Sequence, residues 1–197
     1  MKKIVLPLVL VLSLVFVGCG TSVRGEGDAV SHDVTVGTFT SIAVGGVFRV
    51  NFTQSNEVSA RIEVQENLFE HMDFSITNGV LRIQTRSGVR INFRDTTPTV
   101  HLTAPSLASV SVGGNGWVTL LGNAQNFIIV ASGNARVDGL GMVANAVGLT
   151  ASGNAQVYIR AENTLSGLAS GNARVRYSGN PVVSVATISN ATVRGHG

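Results

Sequence analysis

Residues 131–139 read Ala-Ser-Gly-Asn-Ala-Arg-Val-Asp-Gly, and the first five return unchanged at 151–155 and 169–173. Weaker copies stand at Val112-Gly113-Gly114-Asn115-Gly116 and Thr187-Ile188-Ser189-Asn190-Ala191. The central asparagines are Asn115, Asn134, Asn154, Asn172 and Asn190, so successive copies are 19, 20, 18 and 18 residues apart. A near-constant period of this length marks stacked supersecondary units, each too small to bury its own apolar face alone.

Aligning the copies on the asparagine gives columns. Seven residues before it stand Ala108, Phe127, Val147, Leu165 and Val183; five before stand Val110, Ile129, Leu149, Gly167 and Val185. Three before are Val112, Ala131, Ala151, Ala169 and Thr187, and three after are Val118, Val137, Val157, Val175 and Val193. Every apolar column lies an odd number of residues from the asparagine. That is the alternation of a strand with one face inward, and helical spacing does not fit it. The two strands of a unit meet at Ser-Gly-Asn, where glycine or asparagine can take the left-handed conformation a tight bend requires. These features predict an all-β fold, a parallel β-solenoid of about 18–20 residues per coil, with regular repeats over 108–197.

The asparagine row has two readings: a ligand row, or a ladder of side-chain amides bonded along the stacking axis. Calcium-binding nonapeptides carry a recurring aspartate that is missing here, and calcium wants several hard oxygen ligands, so the ladder is the expectation. Just beyond each corner lies an outward row of Trp117, Arg136, Gln156, Arg174 and Thr192. Its bland interpretation is a solvated face. The functional one is a polar and aromatic strip for a glycan or an anionic surface, anchored by an indole stacked on a sugar ring.

Upstream, alternation continues less regularly through Phe39–Val44, Val47–Phe52, Val58–Val64 and Val80–Thr85, with Asn78-Gly79 as a hairpin signal. Gln65 to Met72 is the one stretch with helical spacing, through Leu68, Phe69 and Met72. Exposed strand edges at the end of a solenoid invite aggregation. The irregular segment with its short helix is therefore expected to act as a cap.

At the N-terminus, Lys2 and Lys3 precede an apolar run from Ile4 to Val17 that is short for a membrane span but suits a secretory signal. The run ends in Phe16-Val17-Gly18-Cys19, which resembles a bacterial lipobox. That resemblance implies a lipoprotein-type signal over residues 1–18 and an acylated Cys19 as the mature N-terminus. With Gly20 rather than an acidic residue following, it also implies the outer membrane or cell surface, with the periplasmic side as the variant. Residues 19–33 are small and polar and read as a flexible tether, which leaves 34–197 as a single domain.

The 197 residues are 44% hydrophobic and 13% charged, with a formal net charge of +3 and 23 glycines. Both lysines belong to the signal. Without them twelve arginines face eleven carboxylates, so the basic isoelectric point says nothing about the mature protein, and nucleic acid is not an expected partner.

The order Phe39-Thr40-Ser41-Ile42, Val47-Phe48-Arg49-Val50, Asn78-Gly79-Val80-Leu81-Arg82-Ile83, Thr103-Ala104-Pro105-Ser106-Leu107, the Ser-Gly-Asn corners and Tyr177-Ser178-Gly179-Asn180-Pro181 resembles the head GIN domain family of auto-transporter adhesins over residues 34–181. The resemblance implies a β-solenoid envelope domain on a signal-bearing or lipidated chain. It supplies no catalytic residues. Members often carry Ser-Gly-Asp or Ser-Gly-Ser where this chain has Ser-Gly-Asn, a departure that bears on surface chemistry more than on fold.

His32, His71, His101 and His196 are scattered, without metal-ligand spacing, and no nucleophile elbow or phosphate loop is present. A polysaccharide-active enzyme would need clustered carboxylates, whereas residues 108–193 hold only Asp138 and Glu162. The expectation is a non-enzymatic, adhesin-like binding module of the cell envelope without cofactor or metal. Its partners would be the membrane, through the lipid on Cys19, and a glycan or an envelope protein. The alternative is a structural spacer, and the oligomeric state does not follow from the sequence.

Overall fold

A computed structural model describes residues 21–94 and 96–196. The signal segment and Cys19 lie outside the described residues. In chain order the elements are β1 (Thr21–Arg24), β2 (Ala29–Asp33), β3 (Ser41–Val44), β4 (Arg49–Gln54), β5 (Ser59–Gln65), the single turn α1 (Glu66–Phe69), β6 (Met72–Thr77), β7 (Val80–Thr85), β8 (Val89–Asn92) and β9 (Thr99–Ala104). The asparagine repeats follow as β10 (Ser109–Val112), β11 (Trp117–Ala131), β12 (Arg136–Ala151), β13 (Gln156–Ala169), β14 (Arg174–Ser178), β15 (Val182–Thr187) and β16 (Thr192–Gly195).

The chain is all-β, but the expected parallel β-solenoid with an irregular cap is corrected. Fourteen strands form one mixed sheet, curled into a half-barrel, in which parallel and antiparallel pairs coexist. β10 to β14 and β16 pair in parallel along the order β16-β14-β13-β12-β11-β10-β3-β7. The pairs β2–β5, β5–β9 and β6–β7 are antiparallel. The reason lies in the connections. Asn78-Gly79 takes positive φ at both residues, a two-residue turn that reverses the chain and forces β6 against β7. The segment expected to cap a separate stack is instead woven into the same sheet: β3 sits between β10 and β7, and β4 between β11 and β9.

The long strands bend because their ladders slip. Register shifts fall between Thr119 and Leu121 on β11 and between Gly139 and Val143 on β12. Such irregularities bend a strand and raise its twist, which curls the sheet around its core. The inward columns Val50, Val118, Val137, Val157 and Val175 stand in mutual register and are all buried. Phe127, Val147 and Leu165 form a second buried column. Its predicted end members are corrected: Ala108 is exposed, its place inside taken by buried Leu107, and Val183 is 40% exposed on the last strand layer.

The tether expected over 19–33 is also corrected where the structure describes it. Thr21–Arg24 pairs with Val89–Asn92, and Ala29–Asp33 runs antiparallel to β5. Arg61 Nε donates to Asp33 Oδ1 at 3.0 Å, and Asn67 Nδ2 donates to the Arg24 carbonyl at 2.8 Å. Each of these strands has one strand neighbour, so the backbone groups on its paired side are held by β8 or β5.

Candidate functional site

Each Ser-Gly-Asn corner is built the same way. Gly114, Gly133, Gly153 and Gly171 all have φ between +71° and +75°. The amide of the following asparagine donates to the carbonyl of the preceding corner's glycine, 2.8 Å for Asn134 to Gly114 and 2.7 Å for Asn154 to Gly133. The asparagine side chains thereby lie one above another. Nδ2 of Asn134 donates to Oδ1 of Asn115 at 2.9 Å, Asn154 to Asn134 at 2.9 Å, Asn172 to Asn154 at 3.0 Å and Asn190 to Asn172 at 3.2 Å. All four bonds point the same way along the stack. The amides of the three middle members therefore bond to a neighbour on each side, an arrangement that ties successive corners together and leaves little of them for a ligand.

Past the corners the outward row is continuous across six strands. Arg49 on β4 is opposite Trp117 on β11, Trp117 opposite Arg136, Arg136 opposite Gln156, Gln156 opposite Arg174, and Arg174 opposite Thr192. Directly opposed residues on one face are close enough to touch. Here they do: the guanidinium carbon of Arg49 lies 4.8 Å from the Trp117 ring centroid, and that of Arg136 lies 4.8 Å from the same ring. Since β4 and β12 flank β11 on opposite sides, the two cations cover opposite faces of the indole. Arg136 also reaches diagonally to Tyr158, at 5.0 Å.

The result is an alternating pile of Arg49, Trp117, Arg136 and Tyr158 across four strands. It changes the expected role of Trp117. Its faces are occupied by guanidiniums, so an indole free to stack on sugar is replaced by an indole that aligns two arginines. Their outward N–H groups, with the Gln156 amide and Arg174, form a row of hydrogen-bond donors. Arg49 and Tyr158 were not among the residues singled out from the repeats. Arg49 precedes the regular repeats, and Tyr158 lies one outward position further along its strand. Alternation alone would have placed Tyr158 on this face, whereas Arg49 required the β4–β11 pairing.

The family described as "Putative auto-transporter adhesin, head GIN domain" matches residues 38–120 and 108–181. The chain belongs to the head GIN domain family. Among solved structures, a "putative adhesin" from Bacteroides fragilis is similar with a TM-score of 0.61 at 16% identity, over 88% of this chain and 100% of the other. At that identity the likeness is one of fold. A "putative adhesin" from Parabacteroides merdae gives 0.46 at 17% identity, over 90% of this chain and all of the other. A "Putative lipid binding protein" from Parabacteroides distasonis gives 0.45 at 12%, over 90% and all of it. No curated protein matches the sequence.

Within the matched region of this head GIN domain, the acids Asp138 and Glu162 stand apart. Glu162 accepts from Arg160 Nε at 2.7 Å, while Asp138 lies in register with Thr119 and Tyr158. Further across the same outward face, where β4 meets β9 and β5, a polar concavity of about 430 Å³ gathers Asp33, Asn51, Arg61, Glu63 and His101. Arg61 is paired with Asp33 at 3.0 Å, and His101 lies 3.5 Å from Glu63. None of the described helices is long and apolar enough to cross a membrane.

Proposed function

We propose that this head GIN domain protein is a non-enzymatic adhesin-like module of the cell envelope, lipidated at Cys19, that holds an extended glycan across its outward arginine row. The observation that carries the reading is the register-locked series Arg49, Trp117, Arg136, Gln156 and Arg174, which spaces donors one strand apart. Adjacent strands lie about 4.8 Å apart, close to the length of a sugar residue, so a chain laid along the stack meets a new donor at each strand. Family membership supports an envelope adhesin, and the row repeated from strand to strand supports an elongated ligand.

The anchor follows from the lipobox-like segment, and the fold adds a consequence. β1 begins at Thr21, two residues past Cys19. Two residues span at most about 7 Å. A lipid on Cys19 would therefore hold the β1–β8 pair against the bilayer surface, without a long stalk, at the outer membrane or cell surface.

A glycan-array screen of wild type beside Trp117→Ala and Arg136→Ala tests the binding role. Binding by wild type that both variants lose supports it. No binding, or equal binding by all three, rejects the row as a ligand site and leaves the spacer role expected as the alternative. Labelling with an alkyne palmitate analogue is expected to mark wild type and not Cys19→Ala; equal labelling would reject the anchor.

A further inference from the structure

At its C-terminal end the outward face becomes strongly basic. Arg174 and Arg176 alternate on β14, so both point outward, and Arg194 on β16 lies directly opposite Arg176. All three are exposed. With Val175 and Thr192 they line a concavity of about 180 Å³. Among the described residues the arginines with a carboxylate within 4.0 Å are Arg61 and Arg160, so no described carboxylate compensates this trio. Like charges opposed across a strand pair destabilise a sheet. A face that nonetheless gathers three guanidiniums around one depression is matched to an anion, and the planar fork of arginine suits the oxygens of sulfate and phosphate esters.

We infer that Arg174, Arg176 and Arg194 form an oxyanion subsite that takes a sulfate or phosphate ester carried on a glycan. The Thr192 hydroxyl, opposite Arg174, supplies a further donor beside the trio. Tyr158 borders the site, being opposite Arg176, and its ring has the His196 imidazole edge-on at 6.3 Å. The volume exceeds what one tetrahedral oxyanion fills, leaving room for part of the sugar that bears it. The position favours a glycan over the protein's own membrane. β14 and β16 close the sheet at the end opposite β6 and β7, whereas the chain's entry strand β1 pairs with β8, the strand that follows β7. This inference rests on the glycan-binding reading of the same face and specifies its ligand.

The test titrates the full chain carrying Cys19→Ala with a sulfated hexasaccharide, the same hexasaccharide after desulfation, inorganic phosphate, and phosphatidylglycerol vesicles. Wild type is expected to bind the sulfated saccharide at least tenfold more tightly than the desulfated one. Arg176→Gln and Arg194→Gln, which keep chain length and lose charge, should each weaken it about tenfold. Inorganic phosphate in excess should displace the saccharide, and raised salt should weaken binding. Trp117→Ala should retain the sulfate preference while losing affinity for neutral glycans, so failure of the row and failure of the subsite register separately. Equal affinity for sulfated and desulfated saccharide would overturn the inference, as would undiminished binding by the two Gln variants with unchanged circular dichroism. Vesicle binding with indifference to the saccharide would assign the patch to a bilayer and also overturn it.

Discussion

Replacing Gly153 by alanine probes the corner on which the repeat depends. Gly153 has φ +72°, and a Cβ there would lie 2.8 Å from the Gly133 carbonyl oxygen, 3.1 Å from its nitrogen and 3.3 Å from its Cα. The left-handed conformation costs an L-residue about 1–2 kcal/mol. The close approach adds a second penalty, because the atoms met are backbone of the neighbouring corner and cannot rotate away. Forcing a methyl group into such a contact costs about 1–3 kcal/mol. The expected loss is therefore about 2–5 kcal/mol. Gly88 supplies the control: its φ is +81°, but a Cβ there meets nothing within 4 Å, so Gly88→Ala should cost only the conformational part, about 1–2 kcal/mol. Urea unfolding of both variants at 25 °C, followed by the emission of the single tryptophan, measures the difference. Equal losses at the two positions would refute the claim that inter-corner contact, and not backbone conformation alone, reserves the site for glycine.

Ser189 holds the corresponding place in the last repeat at φ +64°, and Ser189→Gly should raise stability by about 0.5–1 kcal/mol in the same titration, with a loss contradicting the strain assigned there. Asn154→Ala removes two ladder bonds and Asn190→Ala one, so the first should cost about 1–2 kcal/mol and the second about half of that; the reverse order would mean that the ladder does not carry the stability. Arg136→Ala loses contact with two rings and Arg49→Ala with one, giving expected costs of about 1–2 and 0.5–1 kcal/mol. Both should shift the Trp117 emission, and an unchanged spectrum in either would remove that arginine from the pile.

Much of the second half was legible without coordinates. Period-two columns at odd distances from the asparagine require strands, and the repeat length requires that equivalent residues stack, so the neighbours Trp117, Arg136, Gln156 and Arg174 follow from alignment. The first half misleads for a physical reason. Its strands alternate as well as those of the repeats, but alternation does not say whether a neighbour runs parallel or antiparallel. Asn78-Gly79 signalled one reversal. The antiparallel docking of β2 on β5 and of β5 on β9 depends on contacts between segments distant in sequence, and no local pattern encodes it.

By itself, then, the sequence determined the repeat strands, the inward columns of the middle repeats, the glycine corners and the family, because these depend on periodicity and local backbone chemistry. Only the tertiary structure decided that the sheet is mixed and curled. It alone set β4 beside β11, which brings Arg49 onto the second face of Trp117, and Arg194 opposite Arg176. The reason is that long-range pairing is selected by the total burial of a common core. The chemistry of the outward face is whatever that pairing happens to bring together.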